Sequence, residues 1–283
     1  MPQTASNTLI ELGSKLLKGV CESPRMEAEI LLAKASKINR IDFYKQVFHI
    51  DRNQEKIFNQ SIELRSNGMP MAYILGKKDF WSLTLHIDKN VLIPRPESEH
   101  LVERALKNLP EKSFNCKILE LGTGSGAIAI SLAKERPNAS VIATDISKRA
   151  LSLAQHNALE NNVHNIEFIV SDWFQELKKM KFNSIVVNPP YIDQNNKTTY
   201  DESTLKYEPE IALFAKNKGR ESIFSIIKDS PYFLEPAGSL IIEHGFDQSK
   251  YCQGLMREFG LVNIMSTKDY NGHIRITEGF LKT

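Results

Sequence analysis

From Thr8 to about Asn67, apolar positions recur at helical spacing, with Leu9, Leu12, Leu16 and Leu17 on one stripe and Ile30, Leu31 and Leu32 on another. Ser23-Pro24 marks a helix start, with proline in the first turn and Glu27 close behind. A further helix over Asn53 to Arg65 stops at Asn67-Gly68, which suits a left-handed C-terminal cap. The pattern changes from Met71. Tyr73-Ile74-Leu75 and Phe80 to Ile87 are aromatic and β-branched around Gly76 and predict a short hairpin linker. Ile93-Pro94-Arg95-Pro96-Glu97 predicts extended chain, because each proline disfavours helix in the residue before it. Ser98 to Asn108 then reads as a helix.

From Lys117 the period alternates between short apolar runs and amphipathic stretches. Lys117–Leu121, Val141–Thr144, Glu167–Val170 and Ser184–Val187 predict buried strands, with helices over Gly126–Glu135 and Lys148–Asn161 between the first three. Arg220–Phe233 and Gln248–Phe259 predict helices, and Ser239–Glu243 a strand. Leu261–Thr267 and His273–Phe280 predict a closing antiparallel pair at the sheet edge, joined across Asn271-Gly272. This alternation predicts an α/β, doubly wound sheet that binds ligands at the carboxyl ends of its strands. The domain boundaries expected are 1–70 for a helical unit, 71–97 for the linker and 98–283 for the α/β unit.

Composition changes this picture little. The net charge, 36 − 34 = +2, argues against a general nucleic-acid coat. Three widely separated cysteines, Cys21, Cys116 and Cys252, offer neither a disulfide framework nor metal-ligand spacing. No apolar run approaches the roughly 18 residues of a membrane helix, and Met1 to Leu12 resembles no targeting sequence. A cytoplasmic chain without metal or membrane partner is the expectation.

Two motifs carry chemistry. Glu120-Leu121-Gly122-Thr123-Gly124-Ser125-Gly126 runs from a strand into a helix, where glycines permit a sharp turn and close approach to a ligand. Asp145, ending the next strand, can accept both hydrogens of a ribose diol. Gly122-x-Gly124-x-x-Ala127 also fits a dinucleotide fingerprint, so a nicotinamide dehydrogenase is a rival reading. Glu120 tips the balance, since a carboxylate there suits the ammonium of an amino-acid cofactor and repels a pyrophosphate. Ser171-Asp172-Trp173 adds a polar group and an aromatic face for an adenine. Together these predict S-adenosyl-L-methionine.

Asn188-Pro189-Pro190-Tyr191 follows the fourth strand as a stiff turn, because two prolines fix φ and cannot continue a ladder. A planar –NH2 nitrogen is a poor nucleophile, its lone pair being delocalised. Two acceptors, the Asn188 side-chain oxygen and the Pro189 carbonyl, would orient the group and stabilise the charge growing on nitrogen. Tyr191 can lie flat against it and exclude water. Orientation of this kind supplies up to roughly 7–11 kcal/mol. The turn alone leaves a glutamine amide, an adenine N6 and a guanine N2 amine as candidate acceptors, and a non-catalytic subunit that kept the fold as a further alternative.

Over essentially its whole length the chain resembles the HemK/PrmC release-factor glutamine N5-methyltransferases. The resemblance rests on Pro24-Arg25-x-Glu27-Ala28-Glu29, Gly68-x-Pro70-x-x-Tyr73-Ile74-x-Gly76, Phe80-Trp81 and Leu92-Ile93-Pro94-Arg95-Pro96-Glu97. It continues through the glycine loop, Asp145, Ser171-Asp172-Trp173, Asn188 to Ile192, Glu208-Pro209 and Glu243-His244-Gly245. It implies a Rossmann-like class I methyltransferase sheet of seven strands, the last antiparallel, behind a helical bundle that helps hold a release factor. By position it assigns Gly122 to Gly126, Asp145 and Trp173 to the cofactor, and Asn188 to both cofactor and glutamine. Pro189, Pro190 and Tyr191 would line the pocket for the glutamine of a Gly-Gly-Gln tripeptide. A nucleic-acid base N-methyltransferase is the alternative, and no stable nucleic-acid partner is expected. Ser98 and Ser125 stand where the family often has threonine, and His273-Ile274 is less typical.

Other residues carry weaker expectations. Arg95 and Glu97 read equally as functional or as a surface ion pair. Phe80 and Trp81 read as interdomain packing and His244 as a satisfied core histidine. Asp193 to Lys218 reads as a long polar loop that is mobile and closes over the glutamine.

Overall fold

Helices build the first unit of the computed structural model, which describes residues 4–109, 115–195 and 205–283. Helix α1 (Ser6–Leu16) buries Leu9, Ile10 and Gly13, and Leu17 just beyond it. Leu12 and Leu16, expected on that stripe, are exposed. The stripe is shifted because Gly13 marks the close approach: a Cβ there would meet Phe58 at 2.8 Å and Ile62 at 2.9 Å. Helix α2 (Pro24–Ser36) buries Ala28, Leu31, Leu32 and Ala35, the i, i+3, i+4, i+7 face of a packed helix. Helix α3 (Arg52–Ser66) starts on an Asp51/Gln54 capping box. It ends on left-handed Gly68, with Met69 N–H donating to the Leu64 carbonyl at 3.1 Å.

Met71–Leu75 is a one-turn helix, α4, and not the first strand of a hairpin. Pro70 presets its entry and left-handed Gly76 closes it, while Ile74 enters the core of the helical unit. The hairpin begins afterwards, as Lys77–Phe80 paired with Leu83–His86. One unit holds the chain up to Lys77 with the short stretch ending at Tyr207; the other holds Lys78 onward and Glu208 to Thr283.

The second unit is a seven-stranded sheet. Its strands are β1 (Lys117–Leu121), β2 (Ser140–Asp145), β3 (Ile166–Val170), β4 (Phe182–Val187), β5 (Leu234–Glu243), β6 (Leu261–Lys268) and β7 (Ile274–Leu281). They run in the order β6-β7-β5-β4-β1-β2-β3, with β7 antiparallel to both neighbours. The closing pair therefore does more than add an edge: β7 enters between β5 and β6. Strand β3, read as buried, is half-covered because it forms the opposite edge. Pairing of β5 with β4 jumps from Leu234 to Ser239, across Pro236, which has no N–H to donate.

Helices α5 (Glu99–Asn108), α6 (Ala127–Glu135), α7 (Lys148–Glu160), α8 (Glu221–Asp229) and α9 (Ser249–Glu258) cover the sheet. Pro96–Ser98, expected extended at its end, is a 3-10 turn leading into α5. The long polar segment after β4 has internal order: Ile192–Asp193 pairs in parallel with Phe214–Ala215, and Glu210–Leu213 is a helical turn. Its middle, residues 196–204, lies outside the described residues, and with it the expectation of closure. Phe80 is buried, and the Trp81 indole N–H donates to Glu135 of α6 at 3.2 Å, so Trp81 is tied within the second unit.

Candidate active site

The carboxyl ends of β4, β1, β2 and β3 lie side by side and open into a cavity of about 390 Å³. Gly122, Gly124, Asp145, Asp172, Trp173, Asn188 and Pro190 line it. The glycine loop, Asp145, Asp172-Trp173 and the turn carrying Asn188 and Pro190 thus reach the same rim, the place that doubly wound topology reserves for ligands.

The glycine loop is held from below. Gly122, Gly124 and Gly126 have φ of 68°, 55° and 84°, which residues with a Cβ rarely adopt. A Cβ on Gly126 would lie 2.8 Å from Ile130 and 3.1 Å from Ala154, so this glycine lets α6 pack on α7. Thr123 N–H donates to the Thr144 carbonyl at 2.8 Å, tying the loop to β2. Glu120 does not face the cavity. It is 2% exposed, and its Oε2 accepts from the Thr123 hydroxyl and, at 2.9 Å, from the Ala129 N–H. The carboxyl that sequence reasoning aimed at a cofactor ammonium is spent on the loop and on the first turn of α6. Thr123 and Ser125 are likewise buried and shape the loop.

Burial pushes the Glu120 carboxyl up to about 8 from its ordinary 4.5, against the opposing hydrogen bonds from Thr123 and Ala129. A carboxyl whose folded value is raised adds stability that is complete below the unfolded value and drains away as pH rises through the folded one. The melting temperature therefore falls between about pH 4.5 and 8 and levels off above that, and Glu120→Gln makes the fall shallower. Differential scanning calorimetry across the range decides it; an equally steep decline in the variant would assign the titration to another group.

Asp145 is held by short bonds. Its Oδ2 accepts from Gly124 N–H at 2.9 Å and its Oδ1 from Ser147 N–H at 2.8 Å. A carboxylate has about four acceptor sites, so capacity remains for a diol. Burial raises its pKa, against bonds from Ser147, Gly124 and Ile146. Trp173, at φ 48°, lies over the loop, 3.7 Å from where a Cβ on Gly122 would stand. Exposed Ile146 forms an apolar wall beside Asp145 that sequence reasoning missed. Position alone, directly after the ribose-binding candidate, could have flagged it. Asn157 was missed too: wholly buried on α7, it donates to the Ser125 and His86 carbonyls and accepts from the His86 N–H, so it binds loop to hairpin.

Asn188 lines the cavity, and its Nδ2 donates to Ser98 Oγ at 3.0 Å. Pro189 is buried and Tyr191 half-buried, neither of them among the residues lining the cavity, and the Tyr191 hydroxyl donates to Glu243 at 3.3 Å. Arg95 forms an ion pair, but with a buried partner. It donates to buried Glu208, which also takes the Ile93 N–H at 3.1 Å, and so braces the segment whose Pro209, Ile211 and Ala212 wall the cavity. His244 is satisfied as expected. A carbonyl can only accept, so Nδ1 carries the proton to Gly245 O at 2.8 Å, and Nε2 accepts from the Thr277 hydroxyl at 2.8 Å. Burial lowers its pKa.

Residues 8–76 match the PrmC N-terminal domain and residues 100–205 the methyltransferase small domain. Release factor glutamine methyltransferases are similar over nearly the whole chain. That of Coxiella burnetii is 40% identical, covering 93% of this chain and 94% of its own; that of Escherichia coli is 39% identical, covering 91% and 92%. Among solved structures, a methyltransferase from Pyrococcus furiosus shares the fold with a TM-score of 0.53 and 19% identity, covering 72% of this chain and 91% of its own. A Thermus thermophilus 16S rRNA N2 methyltransferase does so with a TM-score of 0.54 and 17% identity, covering 73% and 50%.

Proposed function

The chain belongs to the release factor glutamine methyltransferase family, and from that premise we infer how its own residues methylate the side-chain amide nitrogen of a release-factor glutamine. The donor is S-adenosyl-L-methionine, and the acceptor is the glutamine of the Gly-Gly-Gln tripeptide. When bound, the cofactor supplies an electrophilic methyl carbon on a sulfonium.

The cavity fits that cofactor. Gly122 and Gly124 bring bare backbone to its wall, Asp145 keeps acceptor capacity for a ribose diol, and Ile146, Asp172 and Trp173 offer apolar and polar faces to a purine. Asn188 Oδ1 and the Pro189 carbonyl accept the two amide hydrogens of the glutamine, orient its nitrogen and stabilise the positive charge that develops there. Pro190 and Tyr191 wall the amide plane and keep water out. No general base is required at the nitrogen, because the proton leaves only once the C–N bond has made it acidic.

The observation that carries this reading is that the Asn-Pro-Pro-Tyr turn and the glycine loop end adjacent parallel strands at one cavity. We place the work in the cytoplasm, a reducing compartment that suits three free thiols. Among the described residues no helix is long and apolar enough to cross a membrane. Methyl-labelled cofactor offered with purified release factor, its Gln→Ala form and RNA or DNA is expected to label the first alone. Label in nucleic acid alone would overturn the reading.

A further inference from the structure

Behind Asn188 runs a line of hydrogen bonds that grips neither substrate. Asn188 Nδ2 donates to Ser98 Oγ at 3.0 Å, and the Ser98 hydroxyl donates to Glu243 Oε2 at 2.7 Å. The other carboxylate oxygen accepts from the Tyr191 hydroxyl at 3.3 Å. Glu243 is 1% exposed and Ser98 4%, so water does not compete for these bonds.

The direction of the line matters because serine has a single hydroxyl hydrogen. An ionised carboxylate can only accept, so Ser98 must donate to it. The Ser98 lone pairs are then what Asn188 meets, and only the amide NH2 can satisfy them. Oδ1 is the end left for the cavity, where an incoming amide N–H needs an acceptor. Protonation of Glu243 allows the reverse order: the carboxyl donates to Ser98, Ser98 donates to the asparagine oxygen, and the amide turns over. Nδ2 would then face the substrate amide, donor against donor.

We propose that Glu243, as a carboxylate, is a positioning group that sets through Ser98 which end of the Asn188 amide faces the substrate. The proposal rests on the glutamine-methylation reading. The groups around Glu243 are Ser98 and Glu97 ahead of α5, Tyr191 after β4, and Arg275 on β7. On α5, His100 and Arg104 are engaged by Glu103 and Glu278, and β4 itself carries no titratable residue. Burial pushes the Glu243 carboxyl up to about 7; Ser98, Arg275 and Tyr191 act against that, and Glu97 adds to it. The polarity of the line is therefore expected to reverse around pH 7.

The test is kcat for release-factor methylation between pH 5.5 and 9, together with the 15N–1H resonances of the Asn188 side chain without substrates. In the parent, kcat falls about tenfold per pH unit below about 7, as a single ionisation requires, and the Asn188 resonances move with the same midpoint. In Glu243→Gln the acid limb and the resonance shift disappear together, and kcat at pH 8 falls about tenfold while cofactor affinity holds. Ser98→Ala leaves the charge but cuts the line, and flattens the limb; Ser98→Thr restores it. If Glu243→Gln does not fold, the Ser98 pair decides the question. An unchanged acid limb in Glu243→Gln or Ser98→Ala, or Asn188 resonances indifferent to pH in the parent, overturns the proposal. A parent protein that methylates no release factor at any pH sinks the functional reading instead, and the resonances still judge the relay.

Discussion

Asn188→Ala lowers kcat for release-factor methylation by about 100- to 1,000-fold, the loss found when one preorganised group facing developing charge is removed. The magnitude follows from the position of the residue. Asn188 lines the cavity, it follows β4 beside the glycine loop, and its own amide is anchored on Ser98. Its oxygen is thus held before the substrate arrives, and no reorganisation is needed as the nitrogen gains charge. Alanine leaves the two prolines in place, so the turn persists and the fold with it. The cofactor dissociation constant rises by about fivefold at most, the worth of one hydrogen bond. A fall in kcat and kcat/KM together, with the KM for release factor nearly unchanged, is the signature of an interaction made in the transition state. Single-turnover kinetics on purified release factor measures it; a kcat within threefold of the parent would remove Asn188 from the chemistry.

Gly219→Ala has the next largest effect, and from a residue that touches no substrate. Gly219 sits at φ 74°, and a Cβ there would collide with the Tyr191 carbonyl oxygen. The obstacle is backbone, which cannot rotate away. The same carbonyl accepts from Gln248 Nε2 at 3.2 Å, so the Asn-Pro-Pro-Tyr turn is gripped from both sides at its last residue. Overpacking added to a left-handed alanine costs on the order of 3 kcal/mol. In a protein of this size that lowers the melting temperature by about 6–12 °C. The displaced turn also lowers kcat at temperatures where the variant is still folded. Gly254→Ala, at a site with open space around it, is the control and keeps its melting temperature within a few degrees. Equal melting curves for the two variants would show that the contact at Tyr191 relaxes without cost.

Much of the site could be read along the chain, and the misreadings have identifiable causes. Tyr73-Ile74-Leu75 reads as part of a hairpin because tyrosine and isoleucine favour strands, yet the proline before and the glycine after Met71–Leu75 enclose a single helical turn. Leu12 and Leu16 have helical spacing but face outward, because the buried stripe of α1 is set by where Gly13 lets Phe58 and Ile62 approach. Glu120 stands at the right position for a cofactor contact and points the wrong way. Its direction was decided by two donors, the Thr123 hydroxyl within the loop and the Ala129 N–H in the first turn of α6.

Features written in backbone restriction are therefore legible in the chain alone. Glycines that must take positive φ, prolines that stiffen a turn, and the alternation that yields parallel strands each act on a few consecutive residues. They were enough to bring Gly122, Asp145, Trp173 and Asn188 to one rim. The direction of a polar side chain on that rim is another matter, because a hydrogen bond goes to whichever partner folding delivers. Ser98 meets Asn188 across 90 residues and Glu243 across 145, and Gly219 meets Tyr191 only because Phe214–Ala215 pairs with Ile192–Asp193. No local pattern encodes such meetings; the packed sheet creates them, and they determine which way Asn188 faces.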